Sequence, residues 1–199
     1  MNPDAPATSR NRDAILTVLQ TEFACVSSVL EIGSGTGQHA VYFGRALLHL
    51  SWQTSDRMEN HDGIQAWLAD GELRNVKSPL DVDVTEVDRV FGEYDAVFSA
   101  NTAHIMSFRA VKRMFQLVGR TLQENGIFCL YGPYNVDGQY TSESNEKFDR
   151  MLKHQDPEMG IRDLEILDCL ALENGLAIER RYAMPANNMV VTWRQRSRN

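Results

Sequence analysis

The string Glu31-Ile32-Gly33-Ser34-Gly35-Thr36-Gly37 restricts the fold more than any other part of the chain. Residues 28–32 are a short, mostly apolar run, and residues 38–48 carry Val41, Leu47 and Leu48 at helical spacing. Three alternating glycines between a strand and a helix permit positive φ and let another molecule come close to the main chain. A turn that only connects two elements does not need their entropic cost. The string therefore predicts a buried parallel strand ending at a ligand-accessible loop that leads into a crossover helix.

The flanking segments continue this grammar. Residues 1–10 are polar with two prolines and read as a flexible arm ahead of a domain spanning 11–199. Ile15, Val18, Leu19 and Phe23 then place an apolar stripe on a helix. Strands are expected at 50–55, 76–80, 94–100 and 126–131, with helices at 62–69, stopped by Gly71, and at 108–123. Residues 132–138 are rich in turn formers, and helices follow at 143–154 and 163–174. Strands at 176–183 and 189–193 are joined by Met184-Pro185-Ala186-Asn187-Asn188, too short for a parallel crossover, so they form an antiparallel pair. The expected architecture is a Rossmann-like α/β fold: a doubly wound sheet of seven strands, mostly parallel, closed by a C-terminal antiparallel hairpin.

With 199 residues the chain fits one hydrophobic core. Its net charge of −7 repels phosphate backbones and anionic lipid surfaces, which disfavours nucleic acid and membrane partners. The basic groups around Arg109, Lys112 and Arg113, and those of the C-terminal tail, read as solvated faces. Cys25, Cys129 and Cys169 have neither disulfide nor zinc spacing, and His39, His49, His61 and His154 show no ligand spacing, so no metal site is expected. The N-terminus lacks the charged-then-apolar pattern of a secretion signal, and no apolar run approaches the roughly 18 residues that span a bilayer. A soluble, cytoplasmic protein is expected.

The chemistry follows from what surrounds the glycines. A dinucleotide enzyme uses G-x-G-x-x-G, with a pyrophosphate on the helix N-terminus. Here the third glycine comes one residue early, and an acid, Glu31, ends the strand. An acidic strand end suits a cationic ligand, such as one bearing a sulfonium and an ammonium, better than a pyrophosphate. Asp56 stands about 20 residues past the loop, where an acid can grip ribose hydroxyls. Asp81 and Val82 follow the next strand and can hold an adenine through its exocyclic amine and its ring. Asn101 and His104 follow the strand at 94–100, so both should border the reactive end of the ligand. An imidazole there can serve as a general base, and Asn101 can bond either ligand.

These residues carry a resemblance to a family. Over nearly its whole length the chain resembles the small S-adenosylmethionine-dependent methyltransferase-like proteins grouped as domain of unknown function 938. The resemblance rests on Arg10-Asn11-Arg12, the glycine string with Gln38-His39, Trp52-Gln53-Thr54-Ser55-Asp56 and residues 99–106. It rests further on Leu130-Tyr131-Gly132-Pro133-Tyr134, Gly160-Ile161-Arg162-Asp163 and Met184-Pro185-Ala186-Asn187-Asn188. Thr54 departs from the proline usual there. The resemblance implies a class I methyltransferase fold and a donor site at Gly33, Gly35, Gly37 and Asp56, with which Asn11, Glu31 and Ser34 are grouped. It implies no acceptor. Tyr131, Tyr134, Arg162, Asn187 and Asn188 come from loops that can close over one, and aromatic walls with neutral amides suit a small molecule. Two rivals stand beside methyl transfer: a module that binds the donor without catalysis, and a nicotinamide-dependent oxidoreductase, against which the glycine spacing and the terminal hairpin weigh.

Overall fold

A computed structural model describes residues 3–87 and 92–197. Helix α1 (Pro6–Glu22) begins well before Arg12, inside the segment expected to be an arm. Pro6 sits in its first turn, where a missing N–H costs nothing, and the residues before it are tied down by tertiary bonds. The Ala5 N–H donates to Gln38 Oε1 (2.7 Å) and Gln38 Nε2 donates to Asp4 (2.8 Å).

Strand β1 (Ser28–Ile32), helix α2 (Gln38–Ala46), strand β2 (Ser51–Asp56), helix α3 (His61–Gly71) and strand β3 (Val76–Asp81) build one half of the sheet. Glu72, with φ 50°, ends α3 through its N–H to the Leu68 carbonyl, so Gly71 is the last helical residue and not the stop. Strand β4 (Tyr94–Ala100) feeds α4 (Phe108–Thr121), which Ser107 caps by accepting the Ala110 N–H. Strand β5 (Leu122–Val136) is longer than its apolar centre suggests. Pro133 holds the last register position against the final strand, where a lost donor matters least. The strand then runs on into a small side sheet with β6 (Gln139–Tyr140) and β7 (Arg162–Asp163), turning at Asp137 and Gly138, both with positive φ. Helices α5 (Glu143–Gln155) and α6 (Leu164–Glu173) flank β7, and β8 (Leu176–Met184) and β9 (Asn188–Gln195) form the closing hairpin.

The main sheet runs β3-β2-β1-β4-β5-β9-β8. The β3-to-β5 part is parallel, and β9 is antiparallel to both β5 and β8. This is the seven-stranded class I methyltransferase fold, with two two-residue strands added against the far end of β5. Each face of the sheet is buried. On one, Phe128 and Trp193 stack and Phe115 of α4 meets both edge-on; on the other, Phe23, Phe43, Trp52 and Phe98 pack under α1 and α2. Strand order reverses between β1 and β4, which opens a crevice beyond their carboxyl ends.

Candidate active site

The glycine loop is bolted to the end of β2. The N–H groups of Gly33 and Ser34 both donate to the Ser55 carbonyl (3.0 and 2.9 Å). Beneath the loop, Glu31 is buried and accepts from Ser34 Oγ (2.9 Å) and Trp52 Nε1 (3.1 Å). Burial raises its carboxyl pKa to about 7 against the opposing effect of those two bonds, and the nearby Asp56 adds to the rise. Glu31 thus holds the loop from below.

The three glycines have different neighbours. A Cβ on Gly33 would fall 2.6 Å from the methyl of Thr102, and one on Gly37 would lie 3.0 Å from the backbone of Ile64 in α3. These two, at φ 74° and 89°, are demanded by packing as well as by conformation. Gly35, at φ 58°, has nothing within 4 Å of its Cβ position. Its N–H donates to Asp56 Oδ2 (2.7 Å), while Asp56 Oδ1 accepts from the Arg57 N–H and from Asn60 Nδ2 (both 2.8 Å). An open glycine beside a carboxylate at the switch point is the arrangement that admits a nucleoside.

Asp81 pairs in register with Asp56 and is exposed, whereas Val82 is buried and gives its N–H to the Asp56 carbonyl (3.0 Å). Asn101 leaves β4 at φ 60° with its N–H on the Tyr131 carbonyl (2.9 Å). His104 lies one turn farther on, with its carbonyl accepting from Gly160 and its ring edge-on to Phe148 of α5 (5.3 Å). Burial, helped by the Arg162 cation, lowers its imidazole pKa to about 4.

The remaining expected residues divide. Tyr131 lies within β5, in register with Ala100 at the end of β4, and its side chain is buried in the core under α1 and α2. Tyr134, expected in an acceptor loop, is instead a core residue whose hydroxyl donates to the Leu130 carbonyl (2.8 Å); the continuation of β5 turns it inward. Arg162 is a fastener: Nε donates to the Ala103 carbonyl (3.0 Å), and Nη2 donates to those of Met106 and Glu158. Asn188 closes its own turn on the Pro185 and Ala186 carbonyls, and Asn187 joins that turn to α5 through Asn145 and Ser144. Asn11 is buried against His39, which spacing alone did not single out, at 2.8 Å. Their partnership crosses from α1 to α2, and only tertiary structure reveals it.

Among the described residues no group of His, Cys, Asp or Glu could hold a metal ion, and no helix is long and apolar enough to cross a membrane. A second cleft, of about 350 Å³, opens at the opposite ends of β4 and β5. Its Glu22 pairs with Arg180 (2.8 Å), and its Arg194 pairs with Glu179 beside it (2.7 Å); the cleft is remote from the glycine loop.

Solved structures share this fold. Human N-acetylserotonin methyltransferase in complex with S-adenosylmethionine superposes with a TM-score of 0.82 at 13% identity, over 96% of this chain and 53% of that one. The S-adenosylmethionine-dependent methyltransferase SibL in its apo form gives 0.81 at 19%, over 96% and 56%. An O-methyltransferase family protein from Burkholderia thailandensis gives 0.77 at 14%, over 94% and 59%. The chain therefore spans little more than half the length of these proteins. At the level of sequence, the family described as protein of unknown function (DUF938) matches residues 2–195, and the chain belongs to that family.

Proposed function

We propose that the chain is an S-adenosylmethionine-dependent methyltransferase that acts on a small-molecule acceptor. The observation that carries this reading is Gly35, open above its Cβ position and bonded to Asp56 at the point where strand order reverses. The residues there fit the donor. A carboxylate offers about four acceptor positions, and three of those on Asp56 are taken, which leaves one for a ribose hydroxyl. Asp81 and Val82 stand at the adjacent strand end for the adenine. When bound, the donor supplies a methyl group made electrophilic by its sulfonium. The chain's contribution is to hold an acceptor in line with it near Asn101 and His104, where proximity and orientation provide most of the rate.

His104 is neutral at pH 7 because its pKa is near 4, and so it is free to take a proton, though as a weak base. A net charge of −7 favours a small acceptor over a nucleic acid. The same burial of His104 supports a second reading, donor binding without transfer, since its ring packs on Phe148 as a structural residue would. Calorimetry with adenosylhomocysteine tests the donor site, and no binding at millimolar ligand rejects both readings. A screen of metabolite extracts with methyl-labelled donor separates them: label transfer selects the enzyme, and its absence with a donor-saturated protein selects the binding module.

A further inference from the structure

His104 is fixed through its backbone and left without a partner at its ring. Arg162 Nε donates to the Ala103 carbonyl (3.0 Å) and Nη2 to that of Met106, while the Gly160 N–H donates to the carbonyl of His104 itself (2.9 Å). Yet no group among the described residues bonds either ring nitrogen, although the residue is only 6% exposed. The rings of His39, His49 and His61 each bond an oxygen of the chain, at 2.8, 3.1 and 3.0 Å. Buried polar groups are paired as a rule, and neither nitrogen of His104 is sealed from solvent, so a bond from outside the chain can reach it. Beside it stands Gly132, a glycine that the fold does not demand. It lies inside β5, its φ is not positive, and a Cβ there would meet within 4 Å only His104 Nδ1, at an ordinary 3.7 Å. Gly126 of the same strand differs, since its Cβ would fall 2.9 Å from the Gln123 carbonyl oxygen. A strand-interior glycine with neither a conformational nor a packing cause marks the close approach of another molecule.

A further wall comes from α5. Phe148 is half-buried, joins neither core cluster, and sets its ring against the imidazole at 5.3 Å and 70°. Met151, three residues along the same face of α5, and Ile105, next to His104, are half exposed, so the rim is apolar. We infer that Gly132, His104 and Phe148 form the acceptor subsite of the proposed methyltransferase, and that it takes a flat aromatic ring bearing a weakly acidic hydroxyl. The bare strand at Gly132 and the phenyl wall suit a flat apolar body. The lone pair of the imidazole accepts from its hydroxyl. The guanidinium of Arg162, anchored on carbonyls either side of His104, favours a group that yields its proton readily. His104 touches the acceptor in this scheme; Gly132 and Phe148 determine which acceptor fits. The inference rests on the methyltransferase reading and narrows its acceptor.

The test titrates two probes into the full chain by NMR, with and without saturating adenosylhomocysteine: 4-nitrophenol, and nitrobenzene as the same ring without the hydroxyl. The parent should bind 4-nitrophenol with a Kd of about 1 mM or below, shift the nitrogen resonances of the His104 ring, and bind nitrobenzene about tenfold more weakly. Gly132→Ala, whose methyl takes the gap, and Phe148→Ala, which removes the wall, should each weaken both probes about tenfold or more. His104→Asn should weaken the phenol alone. Adenosylhomocysteine affinity should stay within about twofold of the parent in Gly132→Ala and Phe148→Ala. Absence of phenol binding, equal parental affinity for the two probes, an unmoved His104 ring, or phenol binding indifferent to Gly132→Ala overturns the inference. Phenol binding as expected in a chain that binds no adenosylhomocysteine is a different result: the donor site falls and the ring subsite stands. Thermal melting checks each variant, and Phe148→Ala, at a half-exposed position, remains decisive should Gly132→Ala not fold.

Discussion

Replacing the three loop glycines one at a time by alanine separates what the fold needs from what the ligand needs. At Gly35 the added methyl meets nothing within 4 Å, so the free chain bears only the left-handed backbone at φ 58°, about 1–2 kcal/mol for an L-residue. At Gly37 the methyl lies 3.0 Å from Ile64 Cα and 3.3 Å from its carbonyl oxygen, and main chain cannot swing aside. That adds about 1–3 kcal/mol of overpacking to the same conformational cost. For a domain of this size each kcal/mol lowers Tm by about 2–4 °C, so Gly37→Ala should melt several degrees below Gly35→Ala. With adenosylhomocysteine the order reverses in meaning. If the donor seats where we propose, the Gly35 methyl occupies the space it must enter, so the overpacking of about 1–3 kcal/mol appears in the complex and weakens binding about five- to 150-fold. Differential scanning fluorimetry and calorimetry on the same preparations read both quantities. Parent-like affinity in Gly35→Ala, or a Tm loss equal to that of Gly37→Ala, would refute the assignment of Gly35 as the ligand-facing glycine.

Asp56→Ala should lower both donor affinity and stability, because three intramolecular donors lose their acceptor; about 1–3 kcal/mol of unfolding free energy is expected, and unchanged urea unfolding would contradict it. The pH dependence of stability has two opposed contributions. His39 and His104 have folded pKa values near 4 against an ordinary 6.5. Each stabilises fully above about 6.5, and this is lost as pH falls toward 4, at about 1.4 kcal/mol per pH unit. Glu31, raised from 4.5 to about 7, has the opposite sign: its contribution is complete below 4.5 and is lost as pH rises through 7. Denaturant titrations between pH 4.5 and 6.5 should therefore show a flatter slope for His104→Asn and a steeper one for Glu31→Gln, and two parallel profiles would dismiss these burial effects. If His104 is the base, single-turnover rates on an acceptor should be flat above about pH 5 and fall about 10²- to 10⁴-fold in His104→Asn; equal rates would leave it a structural residue.

The strand and helix order could be read along the chain because each element carries its own period, and the closing hairpin was visible because residues 184–188 are too few to cross over. What could not be read depends on partners distant in sequence. Residues 3–5 look like a loose arm, yet Gln38 binds Asp4 and Ala5 and Trp67 Nε1 donates to the Pro3 carbonyl at 2.7 Å. Gly132 and Pro133 look like a turn by composition, but pairing with Met189 and Asn188 keeps them in a strand. Local preference was overridden in both places by hydrogen bonds that no window of sequence contains.

The candidate site shows the same division at the level of single atoms. Alternation made the three glycines look equivalent, whereas Thr102 from the loop after β4 and Ile64 from α3 claim the space beside two of them and leave the third open. Asp56 was legible as the acid past β2, but not as the group that fastens Gly35 and Asn60, so its loss must weaken the loop as well as the proposed ligand contact. His104 was legible as an imidazole at a strand end, where an ordinary pKa of 6.5 would make it a switch near neutrality. Its surroundings change that chemistry: with Phe148 against the ring and Arg162 nearby, protonation is disfavoured down to about pH 4. A base so placed could assist only an acceptor whose proton is already loosely held, or one that arrives deprotonated. The search for the acceptor should therefore begin with acidic small molecules.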